Sequence, residues 1–407
     1  MTVPYLCLLV LAAMGFLILW REGLFKSKAA LFVSALLLLA AMALRAVMLP
    51  HETLDYQNFL TKWVDFYRQN GGFAALDRSV GNYNVPYLYF LAGFSYLGVR
   101  DLYCIKLLSI LFDLILAWGV LRIVARFRDG AAARLIGFFV TLFLPTVLLN
   151  GAYWGQCDSI YGAFAVWSVA FVLEDKPIRS VIAVALSFAF KLQAVFLMPV
   201  FLVLLFARRV KWWQLLFFPV TYLIVVLPCV LLGRPLKDTV LLYVNQADTV
   251  GGALNYNSPS VYALLRRGVE NTDQLAQLGI AAAFVFLILV FVCCFIRRDK
   301  LDDRALLTVT VLICVGVPFL LPHMHDRYFF LADVLSLALA VVAPRLFALP
   351  VLVSFASLMG YHAYLTMRWF LGKPQSLAWG ALALLAVLLV LVFDLILLSL
   401  PKSKKSG

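Results

Sequence analysis

The 407-residue sequence is poor in charge. Only 14% of it is Asp, Glu, Lys or Arg, where a soluble domain carries about a quarter. Acidic residues are the scarcer kind, 21 against 34 Lys and Arg. With 64% hydrophobic residues and a mean hydropathy of +0.96, a chain of this size could not bury its apolar surface in water. That excludes a soluble enzyme, a disordered protein and a disulfide-rich secreted module. Alternation is missing as well: the apolar runs are continuous, which excludes an outer-membrane barrel. There is no P-loop, GxGxxG or HExxH, so a nucleotide-driven pump is not expected. The seven cysteines lack metal-ligand spacing, and six of them (Cys7, Cys104, Cys229, Cys293, Cys294, Cys314) read as small buried hydrophobes in apolar stretches. No inner loop exceeds about a dozen residues, which leaves no place for a cytoplasmic sugar-nucleotide domain.

What remains is an all-α polytopic membrane protein. A span needs about 20 apolar residues. Stretches that qualify are 3–20, 29–49, 101–125, 133–150, 157–173, 213–233, 276–296, 304–321, 327–343, 347–370 and 376–400. The first lacks a basic leader and a small-residue cleavage site, and reads as a retained span. Residues 86–98 are too short to cross and read as re-entrant. Residues 179–207 suit a short hairpin with its tip near Lys191. The net charge of +13 would suggest nucleic acid in a soluble protein; here it marks cytoplasmic loops, and no nucleic-acid partner is expected. Placing every basic cluster inside puts the amino terminus outside and the carboxyl terminus inside, with about 13 membrane passes. The whole chain, 1–407, reads as one membrane domain. Its first extracytoplasmic loop, 50–100, carries interfacial helices and the re-entrant segment, and a second large one covers 234–275.

The outward loops differ chemically from the inner ones: Asn, Gln, Asp, His, Tyr and Trp gather there. An aromatic belt alone would appear at both faces and bring no carboxylates, so a site at the outer face is the better explanation. From Tyr56, apolar residues at Tyr56, Phe59, Leu60, Trp63, Phe66 and Tyr67 follow helical spacing and predict an interfacial amphipathic helix. Asp55 begins it, as a helix cap or as a general base fixed at the water–lipid boundary. In NGAYWGQCDSIY, Trp154 and Gln156 are substrate-binding candidates, and Asp158 is either a helix-dipole partner or a substrate ligand. PHMHDRYFF sets His323, His325 and Arg327 within five positions, with Arg327 and Tyr328 opening a span. Arginine matches phosphate geometry, so this loop reads as a lipid-phosphate site unless Arg327 merely pairs with Asp326 or Asp158. Lys191 would be a second cation. NYNVPYLYFL and NYNSPSVYALL place Tyr83 and Asn84, and Asn255, Tyr256 and Asn257, at loops ending in a helix. Amides and rings of that kind suit sugar hydroxyls. Arg45 and Lys106 can snorkel, and Asp113 and Asp333, which lie deeper, are expected to pair.

The Asp after an early span, the amphipathic first outer loop, WGQCDSIY, KLQAVFLMPVF and MHDRYFF resemble the GT-C class of integral-membrane glycosyltransferases. Within it the chain is most similar to bacterial relatives of the GPI mannosyltransferase that adds the second mannose, over roughly residues 29–345. That family's His-Glu-Arg-Tyr pattern reads His-Asp-Arg-Tyr here, from His325 to Tyr328. The resemblance implies inverting transfer of a mannose-like or glucose-like hexose from a polyprenyl-phosphate donor to a lipid-linked or cell-surface glycan, at the extracytoplasmic face of a bacterial cytoplasmic membrane. Asp55 occupies the position of the catalytic carboxylate, Gln156 and Asp158 match the family's Gln and acidic residue, and Arg327 with His323, His325 or Lys191 would hold the donor phosphate. No cofactor is implied, although Asp55 with Asp158 or Asp77 could hold a divalent ion. The rival reading is a flippase or secondary transporter of lipid-linked sugars. It would put charges near the midplane and not at one face.

Overall fold

The computed structural model describes residues 2–243, 252–265 and 270–399. Parts of the expected 234–275 loop, and the basic cluster Lys402, Lys404 and Lys405, lie outside the described residues. The protein is an all-α polytopic membrane protein. Among the described residues, eight helices are long and apolar enough to cross a membrane, and a bent pair makes a ninth. Five shorter apolar helices accompany them, including Val85–Phe94, Asp158–Leu173 and Pro177–Phe190.

The chain forms two compact units, residues 1–195 with 213–250 and residues 196–212 with 251–407. In the first, the helix Asp101–Ala125 is central: 67% of its most apolar window is buried, against 33% for Thr2–Arg21 and 28% for Lys28–Met48. Its residues Ile110, Leu114, Ala117 and Leu121 recur at helical spacing and meet Leu8 and Leu11, Leu38 and Met42, and Phe138 and Leu142 from three neighbours. The outer two helices, Thr2–Arg21 and Lys28–Met48, turn residues such as Leu6 and Leu9, and Phe32, Leu36 and Val47, outward, as helices facing lipid do.

Two expectations within this unit are corrected. Residues 133–150 do not form one straight span: Ala131–Phe143 and Pro145–Trp154 meet at 46°. Pro145 disfavours helical backbone at the residue before it, and Leu144 is extended, with ψ at 122°. Arg45 and Lys106 do not snorkel. Arg45 is fully buried and donates from Nε and Nη2 to Asp113 Oδ2, at 2.9 and 2.7 Å, and to the Ala41 and Leu142 carbonyls. Asp113 also accepts from the Ser159 hydroxyl at 2.5 Å. Lys106 is buried too, and its ammonium donates to the carbonyls of Met48, Leu49 and His51. A pair costs less inside the bundle when every polar atom finds such partners.

The second unit is built around Asp303–Leu320, whose window is 83% buried, whereas Thr272–Ile296 is buried over only 17%. Ion pairs tie helix ends together: Arg209 to Asp303, and Arg304 and Arg345 to Asp394. Asp333 accepts from the Ser354 hydroxyl at 3.1 Å. Residues 327–329 do not open a span as expected; the helix starts at Phe330. Cys293 is exposed, contrary to its reading as a buried hydrophobe.

Candidate active site

In the first unit, the helix Lys28–Met48 ends beneath a loop that leads to Asp55. The Lys106 ammonium binds the carbonyls at that helix end, a favourable place for a cation because the helix dipole is negative there. Thr53 anchors the loop by donating to the Trp154 carbonyl at 2.9 Å. Asp55 then enters a π-helical turn, Tyr56–Leu60, followed by Thr61–Gln69. The buried stripe of this helix is Tyr56, Leu60, Val64 and Tyr67, whereas Phe59 of the expected stripe is exposed. The Asp55 side chain makes no cap hydrogen bond, so the capping role is not observed.

It turns instead to the segment 149–158. A second π-helical turn, Leu149–Trp154, precedes Gly155, whose φ of 82° lies in the left-handed region where a β-carbon is disfavoured. Such turns carry one residue more than an α-helical turn and re-aim the side chains beyond them. The Gln156 amide donates to the Asn150 carbonyl at 2.9 Å, and Ser109 donates to the Gln156 carbonyl at 2.6 Å. With the backbone thus held, Trp154 Nε1 and Gln156 Nε2 both donate to Asp55 Oδ2, at 2.8 and 2.6 Å. Tyr83 orients the Gln156 amide by donating to its Oε1 at 3.0 Å. Trp154 and Gln156 are buried, whereas Asp55 and Tyr83, at the two ends of the network, are partly exposed.

Next to it lies a second pair. The helix Pro177–Phe190 stops at Lys191, which is extended, with φ −155° and ψ 136°. Lys191 forms an ion pair with Asp158, and Asn150 donates to the other Asp158 oxygen at 2.6 Å. The ammonium lies 5.7 Å from the centre of the Tyr83 ring and 5.9 Å from that of Tyr161, within cation–π range. Asp158 stands in the first turn of its helix, as the helix-dipole reading expects, and is in addition the buried counter-ion of Lys191. Tyr83 links the two pairs, because it touches Gln156 through its hydroxyl and Lys191 through its ring. Asn84 caps Val85–Phe94 by accepting from the Val85 amide and donates to the Tyr222 hydroxyl at 3.1 Å. His51 stacks on Tyr153, ring centres 3.8 Å apart. Burial and the neighbouring Lys106 charge lower its pKa below the ordinary 6.5, so the ring is neutral at neutral pH.

The remaining candidates belong to the second unit and meet one another there. Asn255–Tyr256 pairs in parallel with Met324–His325. The Tyr256 and His325 rings stack at 4.7 Å, and Tyr328 packs on His325 at 5.2 Å. His323 Nδ1 donates to the Ala253 carbonyl at 2.8 Å. Asn255 closes a turn onto Ser258 through both ends of its amide. Asn257 has a positive φ of 58° and bridges to His325. Gly360 lets a helix approach these loops: a β-carbon there would lie 2.7 Å from the Asn257 carbonyl oxygen. Arg327 stands 3.6 Å from buried Asp326. Arg327 lies in the turn 326–329 that leads into the helix Phe330–Val342.

Sequence reasoning missed Tyr153, Asn150, Thr53 and Ser109. Asn150 was visible as an amide at a span end. Nothing in the one-dimensional pattern marks the hydroxyls. No group of three or more His, Cys, Asp or Glu side chains suited to a metal ion occurs among the described residues.

Residues 82–322 match the sequence model of a family described as glycosyltransferase family 87. The matched stretch contains Tyr83, Trp154, Gln156, Asp158 and Lys191, and lies between Asp55 and His323. A comparison with curated proteins gives no match.

Proposed function

We propose, from the premise that the chain belongs to glycosyltransferase family 87, that it is a GT-C-type enzyme that moves a hexose from a polyprenyl-phosphate donor to a lipid-linked or cell-surface glycan at the extracytoplasmic face of a bacterial cytoplasmic membrane. The observation that carries the reading is the part-exposed Asp55 carboxylate, aimed by two side-chain donors from a buried, backbone-anchored segment. A general base needs such positioning more than it needs an unusual basicity.

In the proposed reaction, Asp55 takes the proton from the acceptor hydroxyl. The acceptor oxygen forms the new bond to the anomeric carbon as the bond from that carbon to the phosphate oxygen breaks. Attack opposite the leaving group inverts the configuration and releases polyprenyl phosphate. Negative charge grows on that phosphate, and fixed cations lower its energy. Arg327, with His323 and His325, is assigned this role. Lys191 has two further N–H donors besides the one that meets Asp158, and is assigned an accessory one. Trp154 and Tyr83 are assigned to the sugar, where rings stack on its apolar face. The mannose-like or glucose-like identity follows from the resemblance to the GPI-type mannosyltransferases.

The test is incubation of purified protein with radiolabelled polyprenyl-phosphate hexoses and membrane glycolipid acceptors. Label in a product whose anomeric configuration is opposite to the donor's supports the reading. Movement of lipid-linked sugar across liposomes without a new glycosidic bond would replace it with the transporter reading. Arg327→Ala should raise the apparent KM for donor about tenfold or more, as loss of a charge-assisted contact does. An unchanged donor KM removes Arg327 from the phosphate.

A further inference from the structure

The second unit contains a feature that the transfer reaction does not use. An apolar cavity of about 370 Å³ opens among the helices Thr272–Ile296, Asp303–Leu320 and Gln375–Ser399. Phe286, Leu289, Val309, Leu312, Val392 and Leu395 are among its walls. One wall, the helix Thr272–Ile296, is the least buried of the long spans, and its neighbouring residues Ile288, Leu289 and Ile296 are exposed. The cavity is thus reached from the hydrocarbon of the bilayer. At one end its lining changes character, to Arg297 and Lys300.

Those two cations are surplus. Every acidic residue near that end is already engaged: Asp299 by Arg298, Asp303 by Arg209, Asp394 by Arg304 and Arg345, while Asp302 caps the Ala305 amide. Arg297 and Lys300 are exposed and have no ion pair among the described residues. An apolar slot ending in two uncompensated cations complements an amphiphile with an anionic head. A purely apolar ligand would not call for the cations, and a zwitterionic lipid carries its own ammonium against them.

We propose that this groove holds one anionic phospholipid, its acyl chain between the three helices and its phosphate at Arg297 and Lys300. The site is independent of the glycosyl transfer, since none of its residues belongs to the candidate active site.

The test is native mass spectrometry of full-length protein released from mixed phosphatidylglycerol and phosphatidylethanolamine micelles. The expected result is one phosphatidylglycerol retained in preference to phosphatidylethanolamine. Neutralising both cations, Arg297→Gln with Lys300→Gln, should cut that preference roughly tenfold or more. Cys293→Trp, which fills the groove from its exposed lipid side and leaves the cations in place, should lower retention of phosphatidylglycerol independently. Equal retention of the two lipids by the unaltered protein would overturn the proposal, as would phosphatidylglycerol binding that both variants leave unchanged. Displacement of phosphatidylglycerol by one equivalent of polyprenyl phosphate would overturn the assignment to a phospholipid.

Discussion

A carboxylate at the start of a helix usually caps it, but Asp55 turns away from its own amides to the indole of Trp154 and the amide of Gln156. Asp55→Asn keeps the shape and removes the proton acceptor. Transfer should fall roughly a hundred- to ten-thousand-fold with the fold intact, checked by turnover and by thermal unfolding of the same preparation. Gln156→Leu removes one donor to Asp55 and the acceptor for Tyr83. Its loss should be smaller, about tenfold, and should appear in kcat more than in donor KM. His51 supplies a pH dependence of stability. Its folded pKa is depressed, so the unfolded chain binds more protons and folding is penalised as pH falls below 6.5. Glu52, held low by its hydrogen bond from Arg100, adds a second loss of the same sign in a lower window, below 4.5. Unfolding temperature should therefore drop in two steps on acidification, and His51→Phe should remove the upper one.

At the scale of elements, the site is made by irregularities in helices. Two π-helical turns and one left-handed glycine bring residues about a hundred positions apart in the chain into one network. Gly155→Ala puts a β-carbon at a φ of 82° and should destabilise the fold by about 1 kcal/mol or more. Because Gly155 sets the aim of Gln156, activity should fall further than stability explains, which parallel unfolding and turnover measurements will show. The buried Arg45–Asp113 pair joins the helices Lys28–Met48 and Asp101–Ala125. Asp113→Leu strands a buried guanidinium and should cost about 3–5 kcal/mol, whereas the double replacement Arg45→Leu with Asp113→Leu should cost less than the single one.

At the scale of the whole molecule, the polytopic fold was legible because continuous apolar runs of membrane length admit few other readings. Span ends were legible where a charge follows a long apolar run, as at Arg21, and were missed at Leu144, where Pro145 breaks a run that hydropathy reads as continuous, and at the turn before Phe330. The residues of the site were legible by type: Asp55, Tyr83, Trp154, Gln156, Asp158 and Lys191 stood out as polar or amphipathic groups beside greasy segments. Their pairing was not. Hydropathy carries no information on which carboxylate meets the lysine, and the supporting contacts from Ser109, Thr53 and Asn150 use residues too common to signal anything alone. Arg45 and Lys106 show the same limit: a lone charge in an apolar run can end in water or in a buried bond, and only packing decides.

The central claim is that Asp55 is the proton acceptor of a glycosyl transfer. The most direct measurement compares the unaltered protein with Asp55→Asn for label transfer from a polyprenyl-phosphate hexose under single-turnover conditions, with donor binding measured in parallel. The account predicts donor bound by both proteins and a glycosidic product from the unaltered protein alone. Product formed at an equal rate by Asp55→Asn would contradict it.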